Sequence, residues 1–247
     1  MRLIAAFLLA TLVAVPAAAF EGKPKLGPDA VPITEATEYL RRSPAPDYWK
    51  LSPFYLPQQT SSACSVASVA MAVNFVRGLP PGAEDPLVTQ DGLLAAVNDP
   101  DWAAKGAEEG AGVRFEELVR AVREALAAYG LEGATVETFE PKDASPDTAA
   151  RLRAILSANE ASDRDVVLAY FNQGVLTGDW DGPHISPIGA FDAGSGRVLI
   201  MDVDREWYVP YWSTDAKLLE AMLEPTSTEH GALAGGTGGL VRIRAAR

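Results

Sequence analysis

The chain has 247 residues, 48% hydrophobic and 22% charged, with a formal net charge of −12. That length allows one sizeable domain with its own core, and the composition is that of an ordinary globular protein. The acidic balance argues against nucleic acid and anionic membrane as partners.

Residues 1–19 read as a secretory signal peptide. Arg2 supplies a positive start, 3–15 is an apolar run too short to span a bilayer comfortably, and Pro16-Ala17-Ala18-Ala19 offers small residues for cleavage. The expectation is export to a bacterial periplasm or beyond, with a mature chain beginning near Phe20. No other stretch is long and apolar enough to cross a membrane. Residues 20–57 are proline-rich and are expected to be an extended arm, with a short helix at 33–42, wrapped on a catalytic domain of residues 58–247. Helical spacing predicts helices over 62–77, stopped by Gly78, then over 86–98, 115–129 and 147–158. Residues 99–112 read as a polar loop and 135–139 as a short strand. The pattern then changes to strands at 166–170, 184–191 and 197–203, a helix at 217–223, a glycine-rich loop at 225–239 and a last strand at 240–244. A helix-rich first half and an antiparallel sheet in the second half make a segregated α+β domain.

Cys64 is the only cysteine. In an oxidising compartment an unpaired thiol is a liability, which points to a use for the thiol itself. It opens a helix that Ser61 or Ser62 can cap, where the helix dipole favours thiolate. The small residues Ala63, Ala67, Ser68, Ala70 and Ala72 let that helix pack closely against a neighbour. A thiolate nucleophile for acyl transfer wants an imidazole. His184 heads a strand, whereas His230 reads as a solvated loop residue. A three-residue hairpin loop at 192–194 pairs Phe191 with Ser195 and sets His184 directly opposite Asp202, with Cβ atoms about 5 Å apart. Asp202 could then orient the imidazole. Gln58, six residues before the cysteine, could donate with the Cys64 N–H to an oxyanion. The order Gln, Cys, His, Asp is that of papain-like enzymes.

Two blocks together resemble the phytochelatin synthase family. One is Gln58-Gln59-Thr60-Ser61-Ser62-Ala63-Cys64-Ser65-Val66-Ala67-Ser68, running into Met71-Ala72-Val73-Asn74. The other is His184-Ile185-Ser186-Pro187, then Leu199-Ile200-Met201-Asp202-Val203-Asp204-Arg205, then Tyr208-Val209-Pro210-Tyr211-Trp212. The resemblance implies a papain-like domain that cleaves the Cys–Gly bond of glutathione through an acyl-enzyme. γ-Glutamylcysteine then passes to water or to a second glutathione, giving phytochelatin. By motif, Cys64 is the expected nucleophile, His184 the base and acid, Asp202 the orienter and Gln58 the oxyanion donor, with Arg205 and Tyr208 near the substrate. No cofactor is required for the chemistry. Cadmium or zinc ions fit as activators or as part of a metal–thiolate substrate in metal detoxification, and a homodimer is compatible with the resemblance.

Departures from the family pattern are Ser65 and Pro183 where glycine is usual. An acid–arginine pair expected after the Leu-x-x-Ala-Met helix, gripping the glutamyl end, has no counterpart in register; Glu224 or Glu229 are the substitutes for its acid. Hydrolysis is therefore expected over polymer synthesis. Two other readings are a papain-like peptidase acting on other peptides and a non-catalytic periplasmic protein binding metal or thiol.

Overall fold

The centre of the molecule is a helix with almost no polar face. In this computed structural model, which describes residues 24–80 and 82–246, Ser65 to Phe75 of α3 (Cys64–Arg77) are all buried. Gly78, at φ +71°, ends it by turning the chain where other residues are strained, and its N–H donates to Asn74 C=O at 2.9 Å. The expected signal peptide, and Phe20 as mature start, lie outside the described residues.

Before α3 come β1 (Val31–Pro32), α1 (Thr37–Arg42) and α2 (Pro46–Leu51). After it come α4 (Gln90–Val97), α5 (Pro100–Lys105), α6 (Phe115–Ala128), β2 (Thr135–Phe139), α7 (Pro146–Glu160), β3 (Asp165–Asn172) and α8 (Gln173–Thr177). The second half adds β4 (Pro183–Asp192), β5 (Arg197–Ile200), β6 (Tyr211–Thr214), α9 (Asp215–Leu223), a 3₁₀ segment Thr228–Leu233 and β7 (Gly239–Arg244). The strands form one antiparallel sheet in the order β1-β6-β5-β4-β3-β7-β2. This is the α+β arrangement expected.

Strand β3 is buried along its whole length because helices cover both faces. Val166, Leu168 and Tyr170 pack with α3, α4 and α6, while Val167, Ala169 and Phe171 pack with α7, α8 and α9. This period-two division is what a strand between two helical layers requires. The arm joins the sheet: β1 pairs with β6, Val31 opposite Trp212.

Three expectations need correction. The stretch 99–112 is not all loop, since Asp99 accepts from the Asp101 and Trp102 N–H groups and starts α5, burying Trp102. The strand at 197–203 stops at Ile200, and Tyr211–Thr214 is a strand in its own right. The β4–β5 hairpin is set differently: Asp192 pairs with Arg197 and Phe191 with Val198, so the loop holds four residues. Asp192 explains the longer loop, accepting from Gly194 N–H at 3.2 Å and Ser195 Oγ at 2.7 Å. The register then shifts at Gly189, where a Cβ would come within 2.9 Å of the Met201 side chain.

Asp47 of α2 is buried against the α7–β3 end of the sheet. Burial pushes its carboxyl up to about 9, with Asp165 and Glu160 adding to the rise. The folded protein therefore holds a proton that the unfolded chain releases near the ordinary value of 3.8. Stability from this group is complete below that value and falls as pH rises, by at most about 1.4 kcal/mol per pH unit, until about pH 9. Asp47→Asn is expected to flatten this part of the curve, stabilising the protein at pH 7 and leaving it unchanged near pH 4, as read by urea unfolding at both values.

Candidate active site

Cys64 is the first residue of α3, and one turn later Ser68 Oγ donates to Ile185 C=O at 3.0 Å. That bond ties the cysteine's helix to the residue after His184 on β4. Neither Ser61 nor Ser62 caps the helix; the N-cap is Ala63. Ser62 Oγ instead donates to Gly110 C=O at 2.6 Å, and Ser61 Oγ accepts from Glu109 N–H at 3.0 Å. Both serines are taken by the loop after α5. Ser65 is buried, with Trp102 Nε1 donating to its hydroxyl at 3.0 Å. A glycine there would leave that indole unpaired.

His184 is 5% exposed. Its Nε2 lies 3.0 Å from Asp202 Oδ1 and 3.0 Å from Ser186 Oγ, and its ring meets Phe171 edge-on at 5.7 Å. Because β5 ends early and the register is shifted, Asp202 does not face His184 across a ladder. The chain leaves the strand and turns, and the carboxylate reaches back from the turn. Met201 N–H donates to Pro187 C=O at 2.9 Å and Val203 N–H to Ser186 Oγ at 3.3 Å, which holds the turn against β4.

Asp202 is fully buried and its partners are complete. Oδ1 accepts from Asp204 N–H at 2.9 Å, and Oδ2 accepts from Gln173 Nε2 at 2.9 Å. Gln173 is in turn fixed by Tyr211, whose hydroxyl donates to Gln173 Oε1 at 3.2 Å. Burial pushes the Asp202 carboxyl up, but His184 and these donors outweigh it and hold it below the ordinary value. Burial pushes the His184 imidazole down; Asp202 and a hydrogen bond with Cys64 outweigh that and hold it well above its ordinary value. The imidazole is thus poised between a thiol and a carboxylate, which allows it to take a proton from one while the other stabilises its charge.

Gln58 lines the same cleft of about 620 Å³ as Cys64 and His184. Its backbone N–H donates to Val203 C=O at 2.8 Å, and Gln90 grips the residues either side, bonding Gln59 N–H and Pro57 C=O. The Gln58 amide nitrogen makes one long contact, 3.4 Å to Ser61 C=O, which leaves it a hydrogen to donate.

Of the remaining expected residues, Tyr208 lines the cleft and Arg205 does not. Arg205 is exposed and lies over the Tyr55 ring at 5.3 Å; Tyr55 donates to Asp202 C=O, so the arginine reaches the site only through that buttress. His230 is a correction: it lines the cleft, bonded to Asp181 C=O at 2.7 Å and edge-on to Trp180. Glu224 and Glu229 are exposed and lie outside the cleft lining. Sequence reasoning missed Gln173, Gln90 and Ser186. Only Ser186 carried a signal, since it shares a strand face with His184 two residues away.

A cysteine heading a helix, docked on an antiparallel sheet that carries a histidine held by an aspartate, defines a papain-like cysteine fold. Comparison with known proteins shows the family. The phytochelatin synthase model matches residues 30–231, and the chain belongs to the phytochelatin synthase family. Glutathione gamma-glutamylcysteinyltransferases 3 and 1 of Lotus japonicus are 26% and 27% identical over 189 and 187 residues. Each alignment covers 75% of this chain, and 36% and 34% of those two proteins. The chain thus spans about a third of the length of the curated relatives it matches. Among solved structures, the Pseudomonas avirulence protein AvrPphB aligns over 79% of this chain and 100% of its own, at 11% identity and a TM-score of 0.34.

Two substitutions probe this network. Asp202→Asn removes the charge that raises His184, so the imidazole is expected to titrate at lower pH by NMR. Gln173→Leu leaves a buried carboxylate oxygen without its donor and is expected to cost about 1–3 kcal/mol in urea unfolding.

Proposed function

We propose that this protein is a cysteine acyltransferase acting on glutathione. The observation that carries the reading is the buried His184, with Asp202 Oδ1 3.0 Å from its Nε2, lining one cleft with Cys64 at the head of α3. In this reading His184 takes the Cys64 Sγ proton, and the sulfur attacks the carbonyl carbon of the Cys–Gly bond. The Gln58 amide and the Cys64 N–H, one of the first-turn amides without an intrahelical acceptor, receive the oxyanion. The C–N bond breaks, His184 returns the proton to the leaving nitrogen, and glycine departs. A γ-glutamylcysteinyl thioester remains on Cys64. Water or the amine of a second glutathione then attacks it, giving up a proton to His184, and the proton returns to Sγ as the thioester breaks.

The family and the names of the two plant relatives support glutathione as the substrate. Among the described residues no group of three or more His, Cys, Asp or Glu could hold a metal ion. In this reading cadmium or zinc enters as an activator or as part of a metal–thiolate complex of the substrate. Export rests on the sequence pattern of residues 1–19, and no helix among the described residues is long and apolar enough to cross a membrane.

Mass spectrometry of protein incubated with glutathione, with and without cadmium, tests the reading. Glycine release by the parent protein, and a fall of about 10⁴-fold or more in Cys64→Ala, is the expected result. The second product separates hydrolysis from transfer. No glycine release, with Cys64 still reactive toward a thiol reagent, would reject glutathione and favour another peptide.

A further inference from the structure

The cleft around Cys64 has an unusual charge layout. Glu108, Asp179, Asp204 and Glu206 line it, and Lys25 is the sole lysine or arginine among its described lining residues. Lys25 Nζ lies 2.5 Å from Asp179 Oδ2, and 4.6 Å from the ring centroids of both Trp207 and Tyr208. Tyr208 donates to the same Asp179 oxygen at 3.1 Å. The arm that brings Lys25 here is anchored two residues on, where Gly27 N–H donates to Thr177 C=O at 2.5 Å. A Cβ on Gly27 would come within 2.9 Å of that carbonyl oxygen. Thr177 and Gly178 lead directly into Asp179, so the two charges are positioned by one junction.

A solvent-exposed lysine–aspartate pair stabilises a protein little. This one lies on a cleft wall beside Trp207, a large ring that stays 59% exposed with the Lys25 ammonium over its face. Side by side, an ammonium and a carboxylate complement a group that itself carries both charges on one carbon. The α-amino-acid end of a γ-linked glutamyl residue is such a group, because the peptide bond uses its side-chain carboxyl. An ordinary α-linked peptide has no such end.

We propose that Lys25 and Asp179, held beside Trp207 and Tyr208, clamp the free α-amino-acid end of the substrate, Lys25 taking its carboxylate and Asp179 its ammonium. The two rings hold the Lys25 ammonium in place, and the charged pairs form hydrogen bonds at both ends of the group. The clamp makes the cleft selective for γ-glutamyl compounds over α-linked peptides. It rests on the reading of this cleft as the acyl-donor site.

Calorimetry on the Cys64→Ala protein tests the clamp apart from turnover. The ligands are glutathione, glutaryl-Cys-Gly, which lacks the α-ammonium, and γ-aminobutyryl-Cys-Gly, which lacks the α-carboxylate. Each analogue is expected to bind about ten- to a hundredfold more weakly than glutathione. Adding Asp179→Asn is expected to weaken glutathione by a similar factor and leave glutaryl-Cys-Gly unchanged. Adding Lys25→Met does the same for glutathione and leaves γ-aminobutyryl-Cys-Gly unchanged. The ligand series on the intact clamp stands even where a variant fails to fold. Three results would overturn the proposal: equal binding of all three ligands, variants that weaken all three alike, or tighter glutathione binding by Lys25→Met, which would make the lysine a plug. Glutathione turnover by the parent protein, measured alongside, separates the two ideas. Turnover with indifferent variants rejects the clamp and keeps acyl transfer, and selective binding without turnover does the reverse.

Discussion

The contact on which the rest of the site depends is the buried pair of His184 and Asp202. A carboxylate and an imidazole removed from water are costly unless each is paired and its remaining hydrogen-bonding positions are filled. The surroundings meet that condition one by one. Gln173, the Asp204 N–H and Ser186 fill the positions left by the pair, and Tyr211 holds Gln173 from behind. Those groups come from α8, from the turn after β5, from β4 and from β6. The pair thus draws four parts of the chain to one end of the sheet.

The thiol is supplied from the opposite direction by a helix that could hardly sit elsewhere. With residues Ser65 to Phe75 buried, α3 needs cover on every side, and its small residues allow the sheet to approach closely. The Ser68–Ile185 bond sets how far the helix can slide along β4. The loop after α5 takes the two serines before Cys64, so the start of the helix is fixed from outside rather than by its own cap. The approach of sulfur to imidazole is therefore a consequence of core packing on one side and of polar satisfaction on the other.

Much of this was legible in the chain. The helices at Cys64, Phe115 and Pro146 and the strands around Val167, Ile188 and Val241 follow from spacing and from their glycine, serine and proline boundaries. Gln58, Cys64, His184 and Asp202 stand out as residue types, and the structure gathers them around one site. What local spacing does not give is how they join. The β4–β5 hairpin loop is one residue longer than the spacing predicts, because the Asp192 side chain stabilises a four-residue turn. The Asp99-Pro100 helix start was hidden by the polarity of its neighbours, although an N-cap aspartate followed by proline is a start signal.

By itself the sequence determined which segments bury apolar faces, where helices begin and end, and which nucleophile and imidazole were on offer, because these depend on local spacing and residue chemistry. Only the tertiary structure decided how they meet. Asp202 reaches His184 from a turn that follows a register shift at Gly189, where the Met201 side chain leaves no room for a Cβ. Gln173 and Gln90 are ordinary glutamines until partners distant in the chain give them a carboxylate and a backbone to hold. Lys25 and Asp179 lie 154 positions apart, and Trp207 joins them from a third segment. Contacts of that kind are set by how whole layers stack, which no local pattern of residues encodes.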